Sequence, residues 1–290
     1  MKKKIVSLSN DQVDAHGHKM SVEALIGMKD QTNSKVIVSQ CEHDFSMPPI
    51  GRMEKAELIN HQDVNWLMGE FSLFEFDDIE KENELGDREL AIHYQDIGSV
   101  TVAYDRSYEL EDLVEDVEDL QRKFDENGKV QFELKKSVEP ISTLTILVGV
   151  GIFAASGFFN GFLGEAGKDA WAALKSIIQK KKSKSKEEQH YQFIFIFQNE
   201  FYKVEVMLIF KNPQPDGVEN EIRINQKMIE DKVIEYYERE VRAKRIVFLS
   251  DGQGLEHIYS VYRCGTPFDI ANINEYKELL ESRKNKMKPV

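Results

Sequence analysis

The sequence predicts an α+β protein in three segments, and three observations predict it. Residues 4–108 are dominated by short runs of β-branched and aromatic residues separated by polar turns, the composition of strands on a pleated, half-buried surface. Residues 140–164 carry no charge and include Gly149, Gly151, Gly157 and Gly161. Phe193, Phe195 and Phe197 then alternate along a strand pattern, pointing three rings to one face. The chain divides accordingly into an N-terminal β-rich, barrel-like domain (1–139), a Gly-rich hydrophobic helix with an amphipathic helix and Lys-rich linker (140–189), and a C-terminal ββαββ sandwich (190–290).

In the first segment the candidate strands are 4–9, 35–41, 52–60, 64–76 and 100–104. Between the first two, residues 21–28 read as a short helix, with Ser21 as N-cap and Gly27 near its end,. Residues 77–87 are mostly charged and form an exposed loop. Leu110, Leu113, Val114, Val117 and Leu120 recur at helical spacing over 109–125, with acids on the other face,. That acidic face lacks the alternating Asp-x-Asp-x-Asp-Gly loop of a calcium-binding hand, so it reads as solvated. Residues 130–135 form one more strand.

Two readings of 140–186 stand side by side. The uncharged run is long enough at about 1.5 Å per residue to cross a bilayer core of about 30 Å, and Gly157 with Gly161 forms a face suited to close helix contacts in lipid. The amphipathic helix that follows carries Trp171, then Lys180, Lys181, Lys182, Lys184 and Lys186, which together read as a membrane-proximal unit. In the other reading the apolar run is a buried helix or hairpin whose glycines admit close backbone contact, and the lysines are a linker. The lysines favour a cytoplasmic flank while the first domain also stays inside, so a re-entrant hairpin, or insertion on oligomerisation, suits the membrane reading better than a single span.

In the last segment, residues 191–197 and 201–210 form a hairpin across the short polar linker 198–200. The run 212–217, rich in Asn, Pro and Gly, breaks the pattern. A helix follows over 218–244, with Ile222, Ile229, Val233, Tyr236, Tyr237 and Val241 largely along one stripe,. Residues 245–250 and 255–263 then pair across a Gly-rich turn, and a short helix follows Ile273.

Charge narrows the function classes. Residues 1–139 hold 16 Lys+Arg against 31 Asp+Glu, and the remainder 22 against 20. So acidic a first domain repels phosphate backbones, and nucleic-acid partners are not expected. Cys41 and Cys264 lie far apart without a CxxC neighbour, so neither disulfide nor structural zinc is indicated. No P-loop, dinucleotide fingerprint or HExxH sequence occurs, and no cofactor or metal is expected. His16 and His18 with His43 do not make a zinc site on spacing alone. The chain starts Met1-Lys2-Lys3-Lys4 without an apolar signal run, so a cytoplasmic location, associated with the inner face of the membrane on the first reading, is expected.

One stretch carries a resemblance. Cys41-Glu42-His43-Asp44-Phe45-Ser46-Met47-Pro48-Pro49-Ile50-Gly51 follows Asp14-Ala15-His16-Gly17 by about 25 residues, and over residues 4–108 this pattern resembles the tailed-phage prohead serine proteases. The resemblance implies a catalytic histidine delivered by a strand before the Pro-Pro-Ile-Gly turn, here His43. It implies a nucleophile in a Gly-containing approach to a strand, here Ser99 in Asp96-Ile97-Gly98-Ser99-Val100. A later strand would supply the acid, here Glu133. Val100 and Thr101 stand where the family has a small residue, and its Pro-Ala-Asn-Pro tail is missing. The expectation is a serine peptidase of prohead-protease type in a phage or defence setting, acting on a protein substrate and self-associating, with His43 as general base to Ser99. The alternative is a protease-like recognition protein without catalysis, whose hydrophobic segment anchors in membrane or mediates oligomerisation. In the C-terminal segment no set of titratable groups stands out.

Overall fold

The computed structural model describes residues 2–13, 19–41, 44–82, 85–109, 112–126, 129–133, 141–151, 167–198, 200, 202–239 and 242–286. Their strands form a four-stranded and an eight-stranded sheet, accompanied by six α-helices. The chain divides into two compact units, Met1–Ala91 with Ser260–Val290, and Ile92–Tyr259. The expected boundaries at 139 and 190 both fall inside the second unit.

In the first unit, β1 (Lys2–Asn10), β2 (Ile37–Ser39), β3 (Gly51–His61) and β4 (Val64–Leu73) make an antiparallel sheet in the order β1-β4-β3-β2. It is open, with β1 and β2 at its two ends, and is not the barrel the sequence suggested. One face is apolar. Leu67 and Ala56 pack with Leu25 of helix α1 (Val22–Ser34), while Phe71 and Leu73 pack with Tyr276 and Leu280 of the C-terminal helix α6 (Ile273–Lys286). The opposite face pairs Ile5 with Glu70 and Glu70 with Lys55. This is the apolar-in, polar-out alternation of a sheet covered on one side.

The Ser21 cap is as expected, its hydroxyl accepting from the Ala24 N–H at 3.1 Å, but α1 runs on to Ser34 through Gly27. A side chain at Gly27 would meet no atom within 4 Å. Replacing Gly27 with alanine should therefore raise the unit's stability by about 0.5–1 kcal/mol, measurable as a higher denaturation midpoint.

The second unit alternates strands with crossover helices. Strand β5 (Val100–Asp105) leads through α2 (Arg106–Glu109) and α3 (Val114–Phe124) to β6 (Lys129–Glu133); β7 (Ile141–Gly151) through α4 (Lys168–Lys184) to β8 (Glu188–Gln198); and β9 (Lys203–Lys211) through α5 (Gly217–Glu238) to β10 (Ala243–Ser250). Each of these strand pairs is parallel, as a helical crossover requires. Antiparallel contacts between β5 and β7 and between β8 and β9 join the three pairs. With β11 (Leu255–Tyr262) the order is β11-β10-β9-β8-β7-β5-β6; β12 (Pro267–Phe268) pairs with Ser260 and Val261 at the end of β11, which like it belong to the first unit. The expected hairpin of 191–197 with 201–210 is present as β8 and β9, with β9 starting at Lys203, and the strand–helix–strand order after it is present. The expected 109–125 helix is interrupted, with Asp112 in a left-handed conformation at a φ of 55° before α3 begins.

The central hydrophobic helix is corrected over the part described. Residues 141–151 form β7, paired in parallel with β8 from Ile141↔Glu188 to Gly151↔Gln198 and antiparallel with β5 on the other side. A strand buried on both faces reads as an unbroken apolar run and mimics a membrane segment in hydropathy. The β-branched residues Thr143, Thr145, Ile146, Val148 and Val150 suit the pleat instead,. Gly157, Gly161 and Pro140 lie outside the described residues. Among the described residues no helix is long and apolar enough to cross a membrane.

Helix α4 confirms the amphipathic pattern but not the interfacial role of its tryptophan. Trp171 is buried, stacked on Phe193 of β8 at 5.6 Å between ring centroids and edge-on to Phe124 of α3 at 6.0 Å. The lysines that read as a linker belong partly to the same helix. Lys180 pairs with Asp116 at 2.7 Å, and Lys181 is buried, donating to the Ser107 carbonyl at 3.2 Å with its ammonium 4.8 Å over the Tyr108 ring.

Candidate functional site

The register of the second unit's sheet assigns its two faces. Ile146, Phe193, Leu208 and Phe248 are neighbours in one row, and Trp171 on Phe193 marks their side as the helix side. Gly149, Ile196, Glu205 and Arg245 are neighbours in another row. It lies three residues away on every strand, so its side chains point to the opposite face. Across that face runs the irregular segment 92–99.

Three contacts fix this strap. His93 donates its backbone N–H to Glu205 Oε2 at 2.9 Å, and its ring Nδ1 lies 2.8 Å from the same oxygen. The Gln95 carbonyl accepts from Gln198 Nε2 at 2.9 Å. Ile97 bridges to Gly149, where a Cβ would come within 1.9 Å of the Asp96 carbonyl oxygen. Only a residue without a side chain lets the strap pass over β7 at that point. Gly149, one of the glycines of the uncharged run, is thus a crossing point for backbone.

Glu205 is the charged residue at the centre of this arrangement. It is 0% exposed and also accepts from Arg245 Nε. Burial alone would raise its pKa, but the Arg245 guanidinium, then the His93 charge and hydrogen bonds, hold it down at about 2. An ionised carboxylate is acceptor-only, so the Nδ1 facing it carries the proton. The carboxylate orients the imidazole as in acid–histidine pairs generally.

The predicted catalytic residues fall out differently. His43, with His16 and His18, lies outside the described residues. Ser99 ends the strap in a turn whose third residue, Gly98, has a φ of 82°, the backbone a type II turn demands of glycine. The turn closes by the Ser99 N–H donating to the Asp96 carbonyl at 3.1 Å. The Ser99 hydroxyl donates to the same carbonyl at 2.9 Å and accepts from Gln95 Nε2 at 3.0 Å. Gln95 Oε1 accepts in turn from the Thr101 hydroxyl at 3.2 Å. These partners are neutral, and none is a base.

Glu133 is the last residue of β6 and sits opposite Asp105 in parallel register. Ser99 immediately precedes β5, so the two backbones are separated by the length of that strand, about 20 Å. The structure does not bring Ser99 and Glu133 together. Nor does His93 stand beside Ser99 as a base. It is held at β9, while Ser99 leads into β5 and bonds Gly149 from the β5 side of β7, an offset of three strand spacings or about 14 Å.

Sequence reasoning missed the His93–Glu205–Arg245 cluster, yet a signal was present. Glu205 is the one acid in Val204-Glu205-Val206-Met207-Leu208-Ile209-Phe210, and a charge inside a run apolar on both faces needs a buried partner. Elsewhere in the unit, Lys227, Met228, Asp231, Lys232 and Glu235 of α5 line an open groove of about 440 Å³ with Phe248 and His257. Both signs of charge meet there. No group of three His, Cys, Asp or Glu side chains among the described residues is placed to share a metal ion. Comparison with family models, with curated proteins and with solved structures returns no match.

Proposed function

We propose that this chain is a recognition protein that binds a protein partner without cleaving it. One observation carries the reading. The hydroxyl nominated as nucleophile gives its proton to the Asp96 carbonyl and takes a hydrogen bond from the Gln95 amide, while the nominated acid lies at the far end of β5. A serine becomes a nucleophile when a base accepts its proton and a third group orients that base. Here the proton is committed to a turn, and the His93 imidazole, oriented by Glu205, is committed to securing the strap. Ser99 in this reading is a turn-closing residue whose loss costs little.

Labelling of the full chain with a fluorophosphonate probe tests this directly. The expected result is no covalent adduct by mass spectrometry, for the wild type and for Ser99→Ala alike. An adduct on the wild type that Ser99→Ala abolishes would restore the peptidase and overturn the recognition reading.

A further inference from the structure

Resting on the recognition reading, we propose that the outer edge of β1 accepts an extended segment of the partner protein as an added antiparallel strand. The segment would carry an apolar residue opposite Ile5, followed by two acidic residues opposite Lys4 and Lys3. Strand β1 is an end strand: β4 occupies one of its edges, and among the described residues no strand pairs with the other. From Lys2 to Ser7 it stays in regular register with β4, Leu73 to Met68, before the irregularity at Ser7/Ser9. That regular stretch offers an unbroken row of outward amides and carbonyls, the template for strand addition.

The side chains along it define the occupant. Lys3 and Lys4 are exposed and Ile5 is 70% exposed, so the space beside them is not filled by described residues. Lys3 already meets Glu70 at 2.5 Å, but an ammonium has three donors and can serve a second carboxylate. Lysines on an edge discourage pairing with like edges. A second copy of β1 laid antiparallel about Val6 would set Ser9 and Leu8 against Lys3 and Lys4, with no charge to meet either. A parallel copy would set lysine against lysine. An acidic strand meets both, since opposite charges directly across a sheet stabilise the pair. An apolar side chain opposite Ile5 would cover the exposed isoleucine.

The test uses the full chain and a fluorescein-labelled peptide, Thr-Val-Glu-Glu-Thr, followed by fluorescence anisotropy. Its counterpart with both glutamates changed to lysine should bind about tenfold more weakly, the effect of two cross-strand charge pairs, and the difference should shrink at high salt. The double charge reversal Lys3→Glu with Lys4→Glu should invert the preference. Such an inversion cannot come from misfolding. Methylation of the peptide's backbone nitrogens should abolish binding, because the ladder is built from them. Equal binding of the two peptides, no inversion in the reversed variant, or self-association of the chain in place of peptide binding would each overturn the strand proposal. None of these bears on serine labelling, so the recognition reading stands or falls separately.

Discussion

Replacing Glu205 with leucine is expected to destabilise the second unit by about 3–5 kcal/mol, because it removes one partner of the buried Arg245–Glu205 ion pair,. Arg245 is only 4% exposed and cannot reach water without opening the sheet. The double replacement, Glu205→Leu with Arg245→Met, should recover most of the loss, since a hydrophobic pair of similar volume often matches or exceeds a buried ion pair. Denaturant titration of the three variants checks this. Equal losses for the single and double variants would show that the pair is not energetically coupled.

The same carboxylate sets a pH signature. Its folded pKa of about 2 lies below the ordinary 4.5, so its contribution is fully present above the ordinary value. It is lost progressively as pH falls through the interval from 4.5 toward 2. A depression of this size corresponds to about 3 kcal/mol. Stability measured across that interval should fall more steeply for the wild type than for the Glu205→Leu, Arg245→Met protein, which lacks the titrating group.

The second large effect is expected at Gly149. Alanine there would drive its Cβ to 1.9 Å from the Asp96 carbonyl oxygen and 2.6 Å from its carbon, both backbone atoms with no rotamer to relieve the contact. Either the strap lifts or β7 yields, at a cost of about 3 kcal/mol or more. Hydrogen exchange should localise the damage. Amides of 92–99 are expected to lose protection first, along with the Gly98 N–H that donates to the Gly149 carbonyl at 2.9 Å. The Gly27→Ala change, where the added methyl meets open space, is the matched control. A Gly149→Ala protein as stable as the wild type would mean the strap does not dock as described.

How much of this was legible beforehand differs from element to element. The strands β1, β3, β4, β8 and β9 and helix α5 follow from alternation and helical spacing, and the Ser21 cap from local hydrogen-bonding chemistry. The hairpin between β8 and β9 follows from a short polar linker between two alternating runs. Segment 141–151 did not follow, because an apolar run has the same hydropathy in a doubly covered strand as in a bilayer helix. The site was less legible still. Asp96-Ile97-Gly98-Ser99 looks in one dimension like an approach to a nucleophile, and only the Gly98 φ and the Ser99 N–H bond to the Asp96 carbonyl identify it as a turn.

By itself the sequence determined the local conformational preferences of this protein: which runs are strands, where α1 starts, and where glycine is available for a tight turn. It also determined that a charge at position 205 would need a partner. Which partner, only the tertiary structure decided, because His93 and Arg245 lie 112 and 40 residues from Glu205 in the chain. The same holds for Gly149, whose lack of a side chain matters only when residues 92–99 are laid across it. Alternation and capping act between neighbours in sequence, whereas desolvation of a charge and collision of two backbones depend on segments that become neighbours only when the sheet forms.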